Sequence, residues 1–89
     1  LTETRDVRLK RLHMRSMRRG IKEMDIILSR FAEVRLAQMP EEDLAVYEVL
    51  LEENDQDLYQ WVTGQVRAPD ALQAMVRDIA QLVDAQGKS

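Results

Sequence analysis

Residues 17–25 read Met17-Arg18-Arg19-Gly20-Ile21-Lys22-Glu23-Met24-Asp25, and this stretch divides the chain. It holds one of only three glycines, and the charge balance reverses across it. Up to Lys22 there are eight Lys/Arg against two acids; from Glu23 onward there are five against fourteen. Apolar residues at three- and four-residue spacing lie on both sides, the mark of amphipathic helices. Gly20 is therefore the predicted hinge between two helices, because glycine can supply a left-handed residue after a helix end without a Cβ clash. Arg18 and Arg19 then occupy the last turn of the first helix, where the helix dipole favours cations. With Gly20 as N-cap of the second helix, Glu23 falls at the third helical position and can return a hydrogen bond to a free backbone N–H. Arg19, Gly20 and Glu23 thus admit a purely structural reading: basic helix end, turn, acidic helix start.

Working outward, Arg5 to Arg19 is basic, with Val7, Leu9, Leu12, Met14 and Met17 interspersed in no single stripe. The simplest reading is a helix packed on one side with a solvated basic face, and His13 as a partly buried neighbour of that face. Beyond the hinge, Ile21, Met24, Leu28 and Phe31, widened by Ile27 and Val34, predict a central helix from Ile21 to Gln38. Pro40 followed by Glu41, Glu42 and Asp43 starts a third helix to about Glu53, with Leu44, Tyr47, Leu50 and Leu51 buried. Asn54-Asp55-Gln56 reads as a turn, and Asp57 as the start of a short fourth helix carrying Leu58, Trp61 and Val62. Gly64 closes it. Ala68-Pro69-Asp70 opens a fifth helix with Leu72, Met75 or Val76, Ile79 and Val83. The acidic run Glu41–Asp57 reads as a solvated face, able to orient the protein against a basic partner. The expectation is an all-α, compact five-helix bundle in a single domain spanning 1–89, with residues 1–6 and 86–89 frayed.

Composition narrows the function classes. Cysteine is absent and His13 is the only histidine, so neither a disulfide framework, a thiolate metal site nor a His-ligated centre can be assembled. No Gly-rich phosphate loop, nucleophile elbow or His–acid pair is present. Glu23 and Asp25, two apart on a helix, do not face each other as a general acid/base pair would. An enzyme is not expected, and no catalytic or metal-binding residue is assigned. The net acidic chain, formal charge −3, argues against nucleic acid, since acidic surface repels phosphate. No apolar run approaches the roughly 20 residues that span a bilayer, so direct membrane insertion is not expected. The absence of a signal-peptide core suits a bacterial cytoplasmic protein, or a mitochondrial matrix protein if the chain is a processed one. What remains is an interaction protein acting through one patch.

Two linked motifs name a candidate family. Arg19-Gly20-Ile21-Lys22-Glu23, an RGxxE pattern, precedes Leu50-Leu51-Glu52 and Asp57-Leu58-Tyr59-Gln60-Trp61, an LLE…DLxxW pattern, with Arg15-Ser16 upstream. At this separation the chain resembles the SdhE family of FAD assembly factors, the succinate dehydrogenase assembly factor 2 proteins, from about Leu9 to about Val83. It departs from the family near Pro40, where Ser or Thr is common. The resemblance implies a chaperone that binds the flavoprotein subunit of succinate dehydrogenase, and in bacteria also that of fumarate reductase, and promotes covalent attachment of FAD to a histidine of that subunit. It implies no cofactor held stably by this chain, FAD being handled by the partner. Carried over, the contact patch is Arg19, Gly20 and Glu23, with Arg18, Asp25 and Arg15 as neighbours. The family's antitoxin label supplies the alternative: a regulatory partner of a toxin or cytoskeletal protein.

Overall fold

Thr4 starts the first helix: its Oγ1 accepts the Val7 N–H at 3.3 Å, and Asp6 lies in the first turn, where a carboxylate suits the helix dipole. In the computed structural model, which describes residues 3–87, the order is α1 (Arg5–Ser16), α2 (Lys22–Arg35), α3 (Glu41–Leu51), α4 (Asp55–Val62) and α5 (Gln73–Gly87). A 3₁₀ turn, Leu36–Gln38, prolongs α2, and another, Asp70–Leu72, leads into α5. The described residues therefore form five α-helices and no strand, as the apolar spacing predicts. Helix α1 already begins at Arg5, tied by Thr4 and by the ion pair of Glu3 with Arg11, and α5 meets no helix breaker before Gly87. Residues 1, 2, 88 and 89 lie outside the described residues.

Helix α2 is the hub, touching α1, α4 and α5. It buries Met24, Leu28, Phe31 and Ala32, and Leu36 on the 3₁₀ turn continues the stripe. Helix α3 presents Leu44, Tyr47, Leu50 and Leu51, α4 Leu58 and Val62, and α5 Met75, Val76 and Ile79; Leu72 comes from the preceding turn. Ile21 and Trp61 pack against this core but are only partly buried. Trp61 sits at the core's edge, so leucines, not the tryptophan, fill the centre. Val34 and Val83, expected on the buried stripes, are exposed.

Two helix ends differ from the sequence reading. Pro40 is the N-cap of α3 and not its first helical residue. Helix α4 starts two residues early because the Asn54 side chain caps it, accepting the Gln56 N–H at 2.8 Å. After α4, Gly64 has φ +81°, a left-handed conformation that glycine adopts without Cβ strain.

Helix α1 buries only Leu12 and Ser16, with Val7, Met14 and Met17 exposed. Charge supplements that packing. Arg5 and Arg8 bind Glu41 at 2.8 and 2.7 Å; Arg8 and Arg11 bind Glu48 at 3.3 and 3.0 Å; Arg15 binds Glu52 at 3.0 Å. Arginines three or four apart on α1 thus meet, in order, the acids of α3, so the two helices run parallel. Arg5 Nη2 also donates to the Ala37 and Met39 carbonyls, closing the 3₁₀ turn. The basic face of α1 and one edge of the acidic face therefore meet in an intramolecular ladder, while Lys10, Glu42, Asp43 and Asp57 stay exposed. Exposed pairs contribute only ~0–1 kcal/mol each. Their main effect is to set the register of α1, which its sparse apolar stripe leaves loose. Charge steering of a partner loses most of its basis, since Arg5, Arg8, Arg11, Arg15 and Arg19 all engage this chain's own acids.

One buried polar contact joins α1 to the core. Ser16 Oγ donates to the Leu12 carbonyl at 2.8 Å, which leaves the Tyr47 hydroxyl, 2.6 Å away, as donor to Ser16. The Tyr47 ring lies against Phe31, centroids 5.6 Å apart. Burial pushes the Tyr47 phenol from 10.0 up to about 12, against a smaller opposing effect of the Arg19 charge. The folded state therefore disfavours the phenolate. Stability is intact below the unfolded phenol's pKa near 10 and is lost as pH rises toward 12. Denaturant melts between pH 9 and 12 should show a loss of roughly 2–3 kcal/mol, and Tyr47→Phe should flatten that decline.

Candidate functional site

The segment between α1 and α2 leaves α1 through Met17, whose N–H still reaches the Met14 carbonyl at 3.2 Å. Helix α1 ends at Ser16, so Arg18 and Arg19 lie beyond its last turn. The left-handed residue is Arg18, with φ +56°, and Gly20 has no such conformation. The chain thus reverses two residues earlier than expected. A non-glycine residue there is strained by ~1–2 kcal/mol and persists only where its surroundings hold it.

What holds it is Arg19. Its Nε donates to Asp55 Oδ1 at 2.8 Å, its Nη1 to the Arg15 carbonyl at 2.9 Å, and its Nη2 to the Leu51 and Glu53 carbonyls at 3.2 and 3.5 Å. The guanidinium caps the C-terminal ends of both α1 and α3, where carbonyls lack intrahelical partners. It also bonds the carboxylate that opens α4. The Arg19 and Asp55 side chains are only 11% and 16% exposed. A lysine could not replace this planar fork, which serves several acceptors at once.

The second oxygen of Asp55 accepts the Gly20 N–H at 2.6 Å. One carboxylate therefore grips two consecutive residues of the hinge. A Cβ on Gly20 would stand 3.0 Å from that oxygen, so close approach, and not backbone angle, favours glycine here. Outside this contact the surface dips into a shallow notch of about 270 Å³ lined by Gly20, Ile21, Asn54, Asp55 and Gln56. Gly20 itself is exposed.

The remaining candidates divide. Arg15 pairs with Glu52 one turn before Arg19. Asp25 faces along α2, accepting from Ser29 Oγ at 3.3 Å, and lines a separate depression with Lys22, Ile26 and Val34. Ile21, not Gly20, is the N-cap of α2 and has no side-chain acceptor, so Glu23 is the second helical residue and no capping box forms. Glu23 is exposed, and among the described residues its carboxylate makes no hydrogen bond or ion pair. Arg18 is likewise exposed. The residue that sequence reasoning missed is Asp55, read only as part of a turn. Its signal was the spacing of Glu41, Glu48, Glu52 and Asp55 on one edge of α3 and its turn, matching the arginine series of α1.

Two substitutions separate structure from contact here. Glu23→Ala should lower stability by no more than ~0.3–1 kcal/mol, its dipole contribution, with a thermal midpoint within a few degrees of wild type. Arg18→Gly should raise stability by about 0.5 kcal/mol, because relief of the left-handed strain exceeds the extra freedom of an unfolded glycine. Paired thermal melts check both.

Among the described residues no group of His, Asp and Glu is arranged to hold a metal ion, and no helix is long and apolar enough to cross a membrane. The family model described as flavinator of succinate dehydrogenase matches residues 10–83. The chain is 51% identical over 61 residues to succinate dehydrogenase assembly factor 2, mitochondrial, of Lodderomyces elongisporus, covering 68% of this chain and 37% of that protein. It is 43% identical over 68 residues to the protein of the same name from Schizosaccharomyces pombe, covering 76% and 49%. The chain thus spans less than half the length of these relatives. Their name describes an assembly factor, and the antitoxin alternative draws no support from it.

Proposed function

We propose, from the premise that this chain belongs to the flavinator of succinate dehydrogenase family, that it is a non-catalytic assembly factor for a flavoprotein subunit. The observation that carries the reading is the family match across residues 10–83, which includes the whole hinge and the α3–α4 corner. The partner is the flavoprotein subunit of succinate dehydrogenase, and where present that of the related fumarate reductase. The outcome is covalent attachment of FAD to that subunit, with FAD and its acceptor residue held by the partner. This chain supplies a docking surface: exposed Gly20 lining the notch, with the exposed Arg18 and Glu23 side chains close to it in sequence. A small residue lets the partner's backbone come close, and flanking charges of opposite sign fix its orientation.

The test is the covalent flavin content of the flavoprotein subunit in cells lacking this chain, read as flavin fluorescence of the denatured subunit. Fluorescence should be lost and should return on complementation. Normal covalent flavin without the chain would overturn the assignment. Capture from a native lysate should likewise recover a flavoprotein.

A further inference from the structure

We infer that Asp55 is a positioning residue for partner docking, acting through Arg19 and Gly20. The inference rests on the proposed docking role of the hinge. Three observations converge on it. The Asp55 carboxylate, 16% exposed, binds Arg19 Nε with one oxygen and the Gly20 N–H with the other, at 2.8 and 2.6 Å. The hinge it grips contains a strained left-handed residue, Arg18, that needs external support. Exposed side chains, Arg18 before the gripped residues and Glu23 after them, are available to a partner.

The consequence is a division of labour within the RGxxE stretch. The Arg19 guanidinium is committed to four acceptors inside the protein, so it shapes the docking surface from beneath. Gly20 and Glu23 remain to touch the partner. Asp55, thirty-five residues away from Gly20 in sequence, selects the one hinge conformation in which they are presented together. Weakening the grip lets the hinge sample other conformations, and the apparent affinity falls by the fraction that remains competent. Such a change slows association and leaves the lifetime of the complex nearly unchanged, whereas removal of a direct contact shortens the lifetime.

The experiment uses the full chain and a purified succinate dehydrogenase flavoprotein subunit. Association and dissociation rates are measured for wild type, Asp55→Asn and Glu23→Ala, at a temperature where melts show all three folded. The Gly20 amide exchange rate is measured in the free proteins. Asp55→Asn keeps the shape but places an amide NH₂ against one of two donors. The expected result is a protected Gly20 amide in wild type and at least ~10-fold faster exchange in Asp55→Asn. Association of that variant should be ~10-fold slower with dissociation unchanged, and Glu23→Ala should chiefly dissociate faster. If Asp55→Asn unfolds, Asp55→Glu, which keeps the charge but lengthens the arm, takes its place with the same expectations. Equal Gly20 exchange in wild type and variant, or association as fast as wild type, overturns the positioning role while the proposed function stands. A wild-type chain that does not bind the subunit overturns both.

Discussion

Gly20→Arg should abolish productive docking while leaving a folded protein. The new side chain starts from a Cβ that would sit 3.0 Å from Asp55 Oδ2, and it fills the notch formed by Ile21, Asn54, Asp55 and Gln56. Loss of a close approach within an interface commonly removes ~2–4 kcal/mol of binding free energy, so affinity should fall by about 30-fold or more. Gly20→Ala separates the two demands on this position. Its methyl group meets the same oxygen, which must give by a few tenths of an ångström while still held by Arg19. Stretching that charge-assisted bond should lower stability by roughly 1–2 kcal/mol, yet the notch stays open and much of the binding survives. Circular-dichroism melts of both variants, with covalent-flavin levels in cells complemented by each, decide the matter. A folded Gly20→Arg protein that supports normal flavin attachment would remove the notch from the docking surface.

Arg19→Ala should be the most destabilising of the single substitutions considered. It leaves the shielded Asp55 carboxylate without its cation and strips partners from the Arg15, Leu51 and Glu53 carbonyls. Removing one member of a buried ion pair destabilises by ~3–5 kcal/mol. With Arg19 and Asp55 at 11% and 16% exposure, partial solvent screening brings the expectation to roughly 2–3 kcal/mol. For a domain of this size that corresponds to a fall of more than ~10 °C in the thermal midpoint. Arg19→Lys should recover little of it, since an ammonium cannot cap two helix ends and bind Asp55 together. By contrast, breaking an outer rung of the ladder, such as Arg5 with Glu41, should shift stability by no more than ~1 kcal/mol. Loss of flavin attachment in Arg19→Ala must therefore be compared at a temperature where the variant is folded.

The helices and most of the core were legible in the amino-acid order itself. Met24, Leu28 and Phe31 on α2, and Leu44, Tyr47, Leu50 and Leu51 on α3, recur with the helical period, and all are buried. That period is a local property: it follows from 3.6 residues per turn and needs no knowledge of the neighbours. The motif residues of the hinge were legible too, because Gly20 and the charge reversal mark it. What tertiary structure alone decided is which partner each charge finds. The left-handed residue fell at Arg18 and not at Gly20, because Asp55 draws the Gly20 N–H and Arg19 toward the α3–α4 corner. The arginines of α1 and the acids of α3 close on each other across more than thirty residues, a pairing set by the parallel register of two helices. Spacing along one helix reports which face is buried. It carries no information on the angle and register at which a second helix arrives, and those decide whether a charged residue meets solvent, a partner protein or its own chain.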